Sequence, residues 1–432
     1  MNKVKQIRVG ISIGDINGIG PEVVMKTFGD ARMLDFCTPV IFAPSKVIAY
    51  YRKTLQLKNF HFLVCDHIKD IKHKNVNILA STHGEVPIKT GTSTVEAGKI
   101  ALESLEAATA ALKEGFIDVL VTAPINKDNI QSDSFNFPGH TEFLKERLES
   151  DEALMLMVND NLKVAVATGH IPLSEVAKNI NSEVIMNKTK ALNTSLKMDF
   201  MIRKPKIAIL ALNPHAGDNG LIGKEENDFI NDTINSLQED NVLAYGPFPA
   251  DGFFGTGMQY NYDAILAMYH DQGLVPFKTL SFQNGVNFTA SLPYIRTSPD
   301  HGTAYSIAGK GEASEDSFRK AVFTAIDIFR SRAENLDLDA NRIDAKEIAQ
   351  FLSQRRQSYN QKNKAKPGPR RFENRSTEQG DSRKDKEQIE RVDRRNDQHQ
   401  DKEEVKKVTP SKPEEKSNNE GAVDKNIESS ED

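Results

Sequence analysis

Short runs of Val, Ile, Leu and Ala alternate with amphipathic segments from about residue 7 to residue 353, which predicts an α/β fold with helices on both faces of a parallel sheet. Runs such as 164–169, 207–214 and 264–269 are short and rich in Val, Ile, Leu and Ala, as expected of buried strands of a parallel sheet. Each is followed by a histidine: His170, His215 and His270. In open α/β sheets ligands gather beyond the carboxyl ends of the strands. Three imidazoles with a position left open suit a catalytic metal site, since a structural site would be closed by a fourth protein ligand.

The elements follow in order. RVGISI (8–13) reads as a strand running into a glycine loop, and Pro21 opens a helix, PEVVMKTF, at a position that tolerates its missing N–H. PVIFAP (39–44) is a strand before a helix starting at Ser45. Apolar residues recur at helical spacing over 95–114, ending before Gly115, and IDVLVTAPI (117–125) is a further buried strand. LMLMVN, KVAVATG, a helix over 182–199, KIAILAL and a helix over 225–239 fill the middle. AILAMYH, the paired extended segments GVNFTASL and PYIRTS, and helices over 315–334 and 343–357 complete the globular part.

Charge and composition exclude several classes. The chain has 432 residues and a formal net charge of −5, borne largely by the folded part, so no basic face for nucleic acid is expected. Past Ser358 the sequence is rich in mixed charges and poor in aliphatic residues, a composition unable to bury enough apolar surface to offset the entropy of ordering; residues 359–432 are expected to be a disordered tail. Only Cys37 and Cys65 are present, both in apolar surroundings, which fits a reducing compartment without a disulfide framework. No signal-peptide pattern or membrane-length apolar stretch is seen, so a cytoplasmic location is expected.

Several motifs carry candidate chemistry. GDINGIGPE (14–22) sits between strand and helix, where backbone amides can meet an anion, although a plain tight turn explains it equally well. PGHTEF (138–143) places His140 and Thr141 before a helix as donors to a substrate oxygen, or merely as a cap. GPFPADGFF (246–254) puts Asp251 in an irregular loop, as a turn former or, near a metal, as a ligand or proton acceptor. HDQGLVPFK (270–278) joins His270 to Lys278, a cation for carboxylate or phosphate. In 287–314, Asn287 and Arg296 are polar anchors, arginine being suited to bidentate binding of such anions. HGTAYSIAGKGEA, glycine-rich after a strand, can wrap a nucleotide.

GDINGIGPE, VTAPINK (121–127), PGHTEFL, ATGHIPL (167–173), LNPHAGDNGLIGKEE (212–226), YHDQGLVPFK and 287–314 occur in this order, and together they resemble the 4-hydroxythreonine-4-phosphate dehydrogenase (PdxA) family of pyridoxal phosphate biosynthesis, over residues 7 to 350. HGTAYSIAGKGEA is similar to the adenine-binding loop of isocitrate and isopropylmalate dehydrogenases. The resemblance implies two α/β/α domains around a cleft: 1–126 with 272–358 as a discontinuous first domain, and 127–271 as the second, with the dimer contacts. It implies a homodimer whose site draws on both subunits. It assigns His170, His215 and His270 to a divalent metal (zinc, cobalt or magnesium). His140, Thr141, Lys278, Asn287 and Arg296 fall to the substrate, and Gly302, Thr303, Ala304, Gly309 and Gly311 to NAD or NADP. Ile16-Asn17 stands where proline and alanine are expected in many relatives.

The implied reaction is NAD(P)-dependent oxidation of 4-phosphooxy-L-threonine to a 3-keto acid, followed by loss of carbon dioxide to give 3-amino-2-oxopropyl phosphate. Asp251, then Lys278, are the candidates for proton transfer. A paralogue acting on threonate or erythronate 4-phosphate would use the same metal and nicotinamide chemistry. A non-enzymatic scaffold for the tail is the alternative from another class, and it has to account for every metal and substrate position being filled.

Overall fold

The structure, a computed structural model, describes residues 6–341 except 82–85 and 282–283, together with Ser353. The expected tail over 359–432 lies outside the described residues, as does the expected helix over 343–357 apart from Ser353. The strands are β1 (Ile7–Ser12), β2 (Cys37–Phe42), β3 (Leu63–Cys65), β4 (Asn77–Leu79), β5 (Val119–Thr122), β6 (Leu154–Val158), β7 (Lys163–Val166), β8 (Lys206–Leu210), β9 (Leu243–Phe248), β10 (Ala264–Ala267), β11 (Val286–Ala290) and β12 (Arg296–Pro299). The helices are α1 (Gly20–Gly29), α2 (Met33–Phe36), α3 (Ser45–Thr54), α4 (Val95–Lys113), α5 (His140–Arg147), α6 (Leu173–Asn179), α7 (Ser182–Met198), α8 (Asn231–Glu239), α9 (Ala250–Gly255), α10 (His270–Ser281) and α11 (Asp316–Ala340).

All the described strands join one sheet in the order β3-β4-β2-β1-β5-β12-β11-β6-β7-β10-β8-β9. The first seven places are filled by strands from before residue 126 or after residue 272, and the last five by strands from between them. Every residue of β2, β5 and β10 is buried, so their apolar runs are covered on both faces. At roughly 1.5–3 kcal/mol for each fully buried Val, Ile or Leu, this burial is the main force holding the layers together.

The α/β class is as expected, but the sheet is mixed rather than parallel. β6 runs antiparallel to both β7 and β11, and β11 antiparallel to β12. Connection length is the cause for β6 with β7 and for β11 with β12. Asn159 caps the turn between β6 and β7, its Oδ1 accepting from Asn161 N and Leu162 N, and its N–H donates to Leu162 O. Only a crossover of a dozen residues or more would let neighbouring strands run parallel.

The loop after β1 is built from backbone geometry. Gly14 has φ +71°, and a Cβ there would stand 2.3 Å from Pro124 O, so no other residue fits. The N–H groups of Asp15, Asn17, Gly18 and Ile19 donate to Pro124 O, Asp15 Oδ1, Asp15 O and Thr303 O. These amides are therefore spent inside the protein, and the loop fastens strands together rather than cradling an anion. Buried Asn17 extends that role: its Nδ2 donates to Thr92 O at 3.0 Å and its Oδ1 accepts from Lys89 N at 2.8 Å.

Candidate active site

A cavity of about 340 Å³ opens at the middle of the sheet, where the ends of β5, β11 and β12 face α5 and α10. His140, Thr141, His170, His270, Lys278, Asn287, Arg296 and Gly302 all line it. They arrive from five regions of the chain, and their convergence follows from the strand order.

Arg296, the first residue of β12, is only 2% exposed. Its Nε and Nη2 donate to Thr122 Oγ1 (3.1 and 2.6 Å), and Nη1 donates to Thr289 Oγ1 (3.1 Å). These partners are neutral, and among the described residues no carboxylate lies within ion-pair distance of the guanidinium. Burial pulls its pKa down to about 9, opposed by the charge of Glu142. A buried charge held only by hydroxyls is costly unless an anion completes its shell. His140 Nε2 and Asn287 Oδ1 are also buried without a hydrogen-bond partner. Burial first, then the charges of Arg296 and Lys127, holds His140 well below the usual histidine range, so it is neutral and can donate or accept.

The metal candidates divide. His170 and His270 have ring centroids 5.5 Å apart at the ends of β7 and β10, close enough for both to reach one ion. His270 Nδ1 lies 2.7 Å from Asp271 Oδ1; donating there leaves Nε2 free as a ligand, the arrangement in which an outer carboxylate orients a metal-binding imidazole. His170 Nε2 faces Lys127 Nζ at 3.3 Å, and its Nδ1 is 3.7 Å from Glu142 Oε1. With Nδ1 turned to the Glu142 carboxylate, Nε2 is left as the lone-pair nitrogen, the form a metal ligand needs, although the Lys127 ammonium now occupies its approach. Among the described residues no group of three His, Cys, Asp or Glu side chains converges on one point.

His215 is elsewhere. It is exposed and opens a left-handed stretch, with φ of 53° at His215, 52° at Ala216, 77° at Gly217, 45° at Asp218 and 56° at Asn219. Left-handed non-glycine residues are strained and persist only where their surroundings over-determine them. Buried Glu226 anchors the chain just ahead of this stretch: Oε1 accepts from Leu212 N and Asn213 N (2.9 and 2.8 Å), and Oε2 accepts from Asn213 Nδ2 (2.9 Å). Beside it Leu221 is 82% exposed. Asp251 does not line the cavity either. The irregular loop expected there is α9, with exposed Asp251 in its first turn, where a carboxylate favours the helix dipole.

Of the nucleotide candidates, Gly302 lines the cavity and the others continue from it. Ala304 takes φ 43°, and Gly309 and Gly311 take φ of 72° and 78°. Tyr305 Oη donates to Asp15 Oδ2 at 2.7 Å, and Asn129 Nδ2 donates to the same oxygen at 2.8 Å. A Cβ on Gly18 would stand 2.8 Å from Thr303 O. The loop over 302–311 is thus fastened to the loop after β1.

Sequence reasoning passed over Lys127, Glu142, Asp300 and His301, which also line the cavity. Burial raises the Asp300 carboxyl, with Lys278 opposing, and lowers His301. Lys127 lies within VTAPINK and the Asp300–His301 pair within 287–314, so the signal available was the motif rather than any spacing.

Residues 35–325 match the family described as "Pyridoxal phosphate biosynthetic protein PdxA", about two thirds of the chain. The chain belongs to the PdxA family. A 4-hydroxythreonine-4-phosphate dehydrogenase from Bacteroides thetaiotaomicron is 50% identical over 76% of this chain and 90% of its own length. One from Prosthecochloris aestuarii is 40% identical over 74% of this chain and 97% of its own. The crystal structure of the Klebsiella pneumoniae 4-hydroxythreonine-4-phosphate dehydrogenase superposes with a TM-score of 0.64 at 31% identity, covering 76% of this chain and 99% of that one. As a member of the PdxA family the chain is an oxidoreductase. No described helix is long and apolar enough to cross a membrane.

Proposed function

We propose that the chain oxidises the 3-hydroxyl of 4-phosphooxy-L-threonine with NAD or NADP, giving 2-amino-3-oxo-4-(phosphooxy)butanoate. This loses carbon dioxide to give 3-amino-2-oxopropyl phosphate. The observation that carries the reading is Arg296, a buried guanidinium without a carboxylate partner, in a cavity it shares with two imidazoles set to hold a cation.

The chain's own residues do most of the work by binding and orienting. Arg296, Lys278, Asn287, His140 and Thr141 take the phosphate and carboxylate, which fixes the carbon that loses hydride. His170 and His270, with His215 of the partner subunit, would hold one divalent cation, zinc, cobalt or magnesium. Such a cation supplies Lewis acidity at the substrate hydroxyl and at the oxygen that gains charge on decarboxylation. The 302–311 loop, through Gly302, Thr303, Ala304, Gly309 and Gly311, would bind the nicotinamide dinucleotide, which takes up the hydride. Lys278 is within the cavity to move a proton; Asp251 could do so only from a neighbouring subunit.

A homodimer accounts for three otherwise unrelated observations. His215 is exposed and does not line the cavity that holds the other two histidines. Leu221 and Leu173, 82% and 73% exposed, sit on the same segments as His215 and His170. A second cavity beside His170 and His270 is walled by Ile171, Leu173, Val176 and Tyr269. Exposed apolar patches of this kind mark association surfaces. We further propose that 1–126 with 272–358, and 127–271, act as two domains that close on the substrate, with the reaction taking place in the cytoplasm.

A second substrate is favoured by one relative, a protein from Oceanobacillus iheyensis provisionally named D-threonate 4-phosphate dehydrogenase, 33% identical over 74% of this chain. Turnover of the purified chain with each acid phosphate, with NAD and NADP and after chelation and metal add-back, decides between them. Faster use of phosphohydroxythreonine supports the proposal; activity with threonate 4-phosphate alone overturns it.

A further inference from the structure

β12 carries Arg296 at its start, and Asp300 follows directly on its last residue, Pro299. Lys278 Nζ, from α10, lies 3.1 Å from Asp300 Oδ1. The two ends of this pair differ in freedom. The Asp300 side chain is 17% exposed while that of Lys278 is 53% exposed, so the carboxylate is fixed and the ammonium is the mobile member.

Asp300 is fixed by more than burial. Its N–H donates to Ser317 Oγ at 3.0 Å, and that hydroxyl donates onward to Gly285 O at 2.7 Å. Its side chain lies on the bare backbone of Gly285, where a Cβ would stand 2.9 Å from Oδ2. Lys278 faces two spaces at once, the main cavity and a smaller one walled by Ser281, Ser314 and Ser317. Without Asp300, nothing among the described contacts would choose between them for a flexible four-carbon stem.

We propose that Asp300 is a positioning residue that acts through Lys278. Its carboxylate takes one of the three ammonium N–H donors and fixes where the other two are offered to an anionic substrate group. Arg296 and Asp300 stand at the two ends of one short strand, so β12 sets the spacing between the cations that bind the substrate. This rests on the reading of Lys278 as an anion anchor.

Titration of the full chain with inorganic phosphate tests the inference without requiring turnover. Asp300→Asn should weaken phosphate binding by about five-fold, the upper range for an exposed pair, and should do nothing further in a Lys278→Ala background. Gly285→Ala, which presses on Asp300 Oδ2, should weaken binding in the same direction and supplies a second variant should Asp300→Asn not fold. In turnover the loss should fall on KM for the phosphorylated substrate more than on kcat. Unchanged or tighter phosphate binding in Asp300→Asn overturns the inference, as does an equal loss in the Lys278→Ala background or a wild-type chain that binds no phosphate. If the wild type binds phosphate but oxidises no phosphohydroxythreonine, the proposed function fails while the phosphate titrations still decide the role of Asp300.

Discussion

Arg296 rests its guanidinium on the hydroxyl of Thr122, Nη2 to Oγ1 at 2.6 Å, at a depth where a positive charge normally requires a carboxylate. The site is therefore held ready for an anion at a cost to the empty protein. Arg296→Met should leave thermal stability unchanged or raise it, by up to about 4 kcal/mol, because it removes an uncompensated buried charge. The same change should abolish turnover at any accessible substrate concentration. Arg296→Lys should lower kcat/KM by about 10- to 100-fold, since an ammonium cannot reproduce the planar fork. Denaturation curves beside steady-state kinetics check both; a large loss of stability in Arg296→Met would show the arginine to be structural.

The hydrogen bond from Tyr305 to Asp15 joins the loops after β1 and β12. Tyr305→Phe should cost about 1.5–3 kcal/mol, the range for a hydrogen bond to a charged group. Its kinetic effect should be a raised KM for the nicotinamide cofactor, with KM for the phosphorylated substrate little changed. Equal rises in both would separate this contact from the cofactor.

His140 gives the stability a pH dependence with a fixed sign. Its folded pKa is depressed well below 6.5, so the folded state stays neutral while the unfolded chain takes up a proton as pH falls through 6.5. The stability this histidine contributes is present above about 6.5 and declines as pH falls toward the folded pKa. His301, also lowered by burial, acts in the same direction. Urea denaturation between pH 7.5 and roughly 5 should show His140→Gln losing less stability than the wild type. A parallel decline in both proteins would assign the effect to other groups.

The apolar strands β1, β5, β8 and β10 were legible because burial on both faces leaves no other reading. The antiparallel β6 was not recognisable as such, since strand direction is set by the four-residue turn at Asn159 rather than by the apolar run itself. β3 and β4, three residues each, are too short to show a period. His140, Thr141, Lys278, Asn287 and Arg296 were identified by motif, and the structure brings all five to one cavity. Asp251 reads as a loop residue in the sequence because the neighbouring glycines and prolines mask the short helix α9. For the glycine loop after β1 the sequence leaves an anion cradle and a plain tight turn equally open, because composition cannot reveal that its amides are already taken. Glu226 and Asp300 escaped notice for the same reason, as each acts by holding another residue in place.

In the proposed site His170 and His270 of one chain work with His215 of another. His170→Ala and His215→Ala should each be inactive alone. When the two variants are mixed and allowed to exchange subunits, each hybrid dimer carries one intact set of three histidines. Activity should therefore recover to about a quarter of the wild-type value at equal mixing. Recovery near that level supports the shared site, and no recovery despite demonstrated subunit exchange would contradict it.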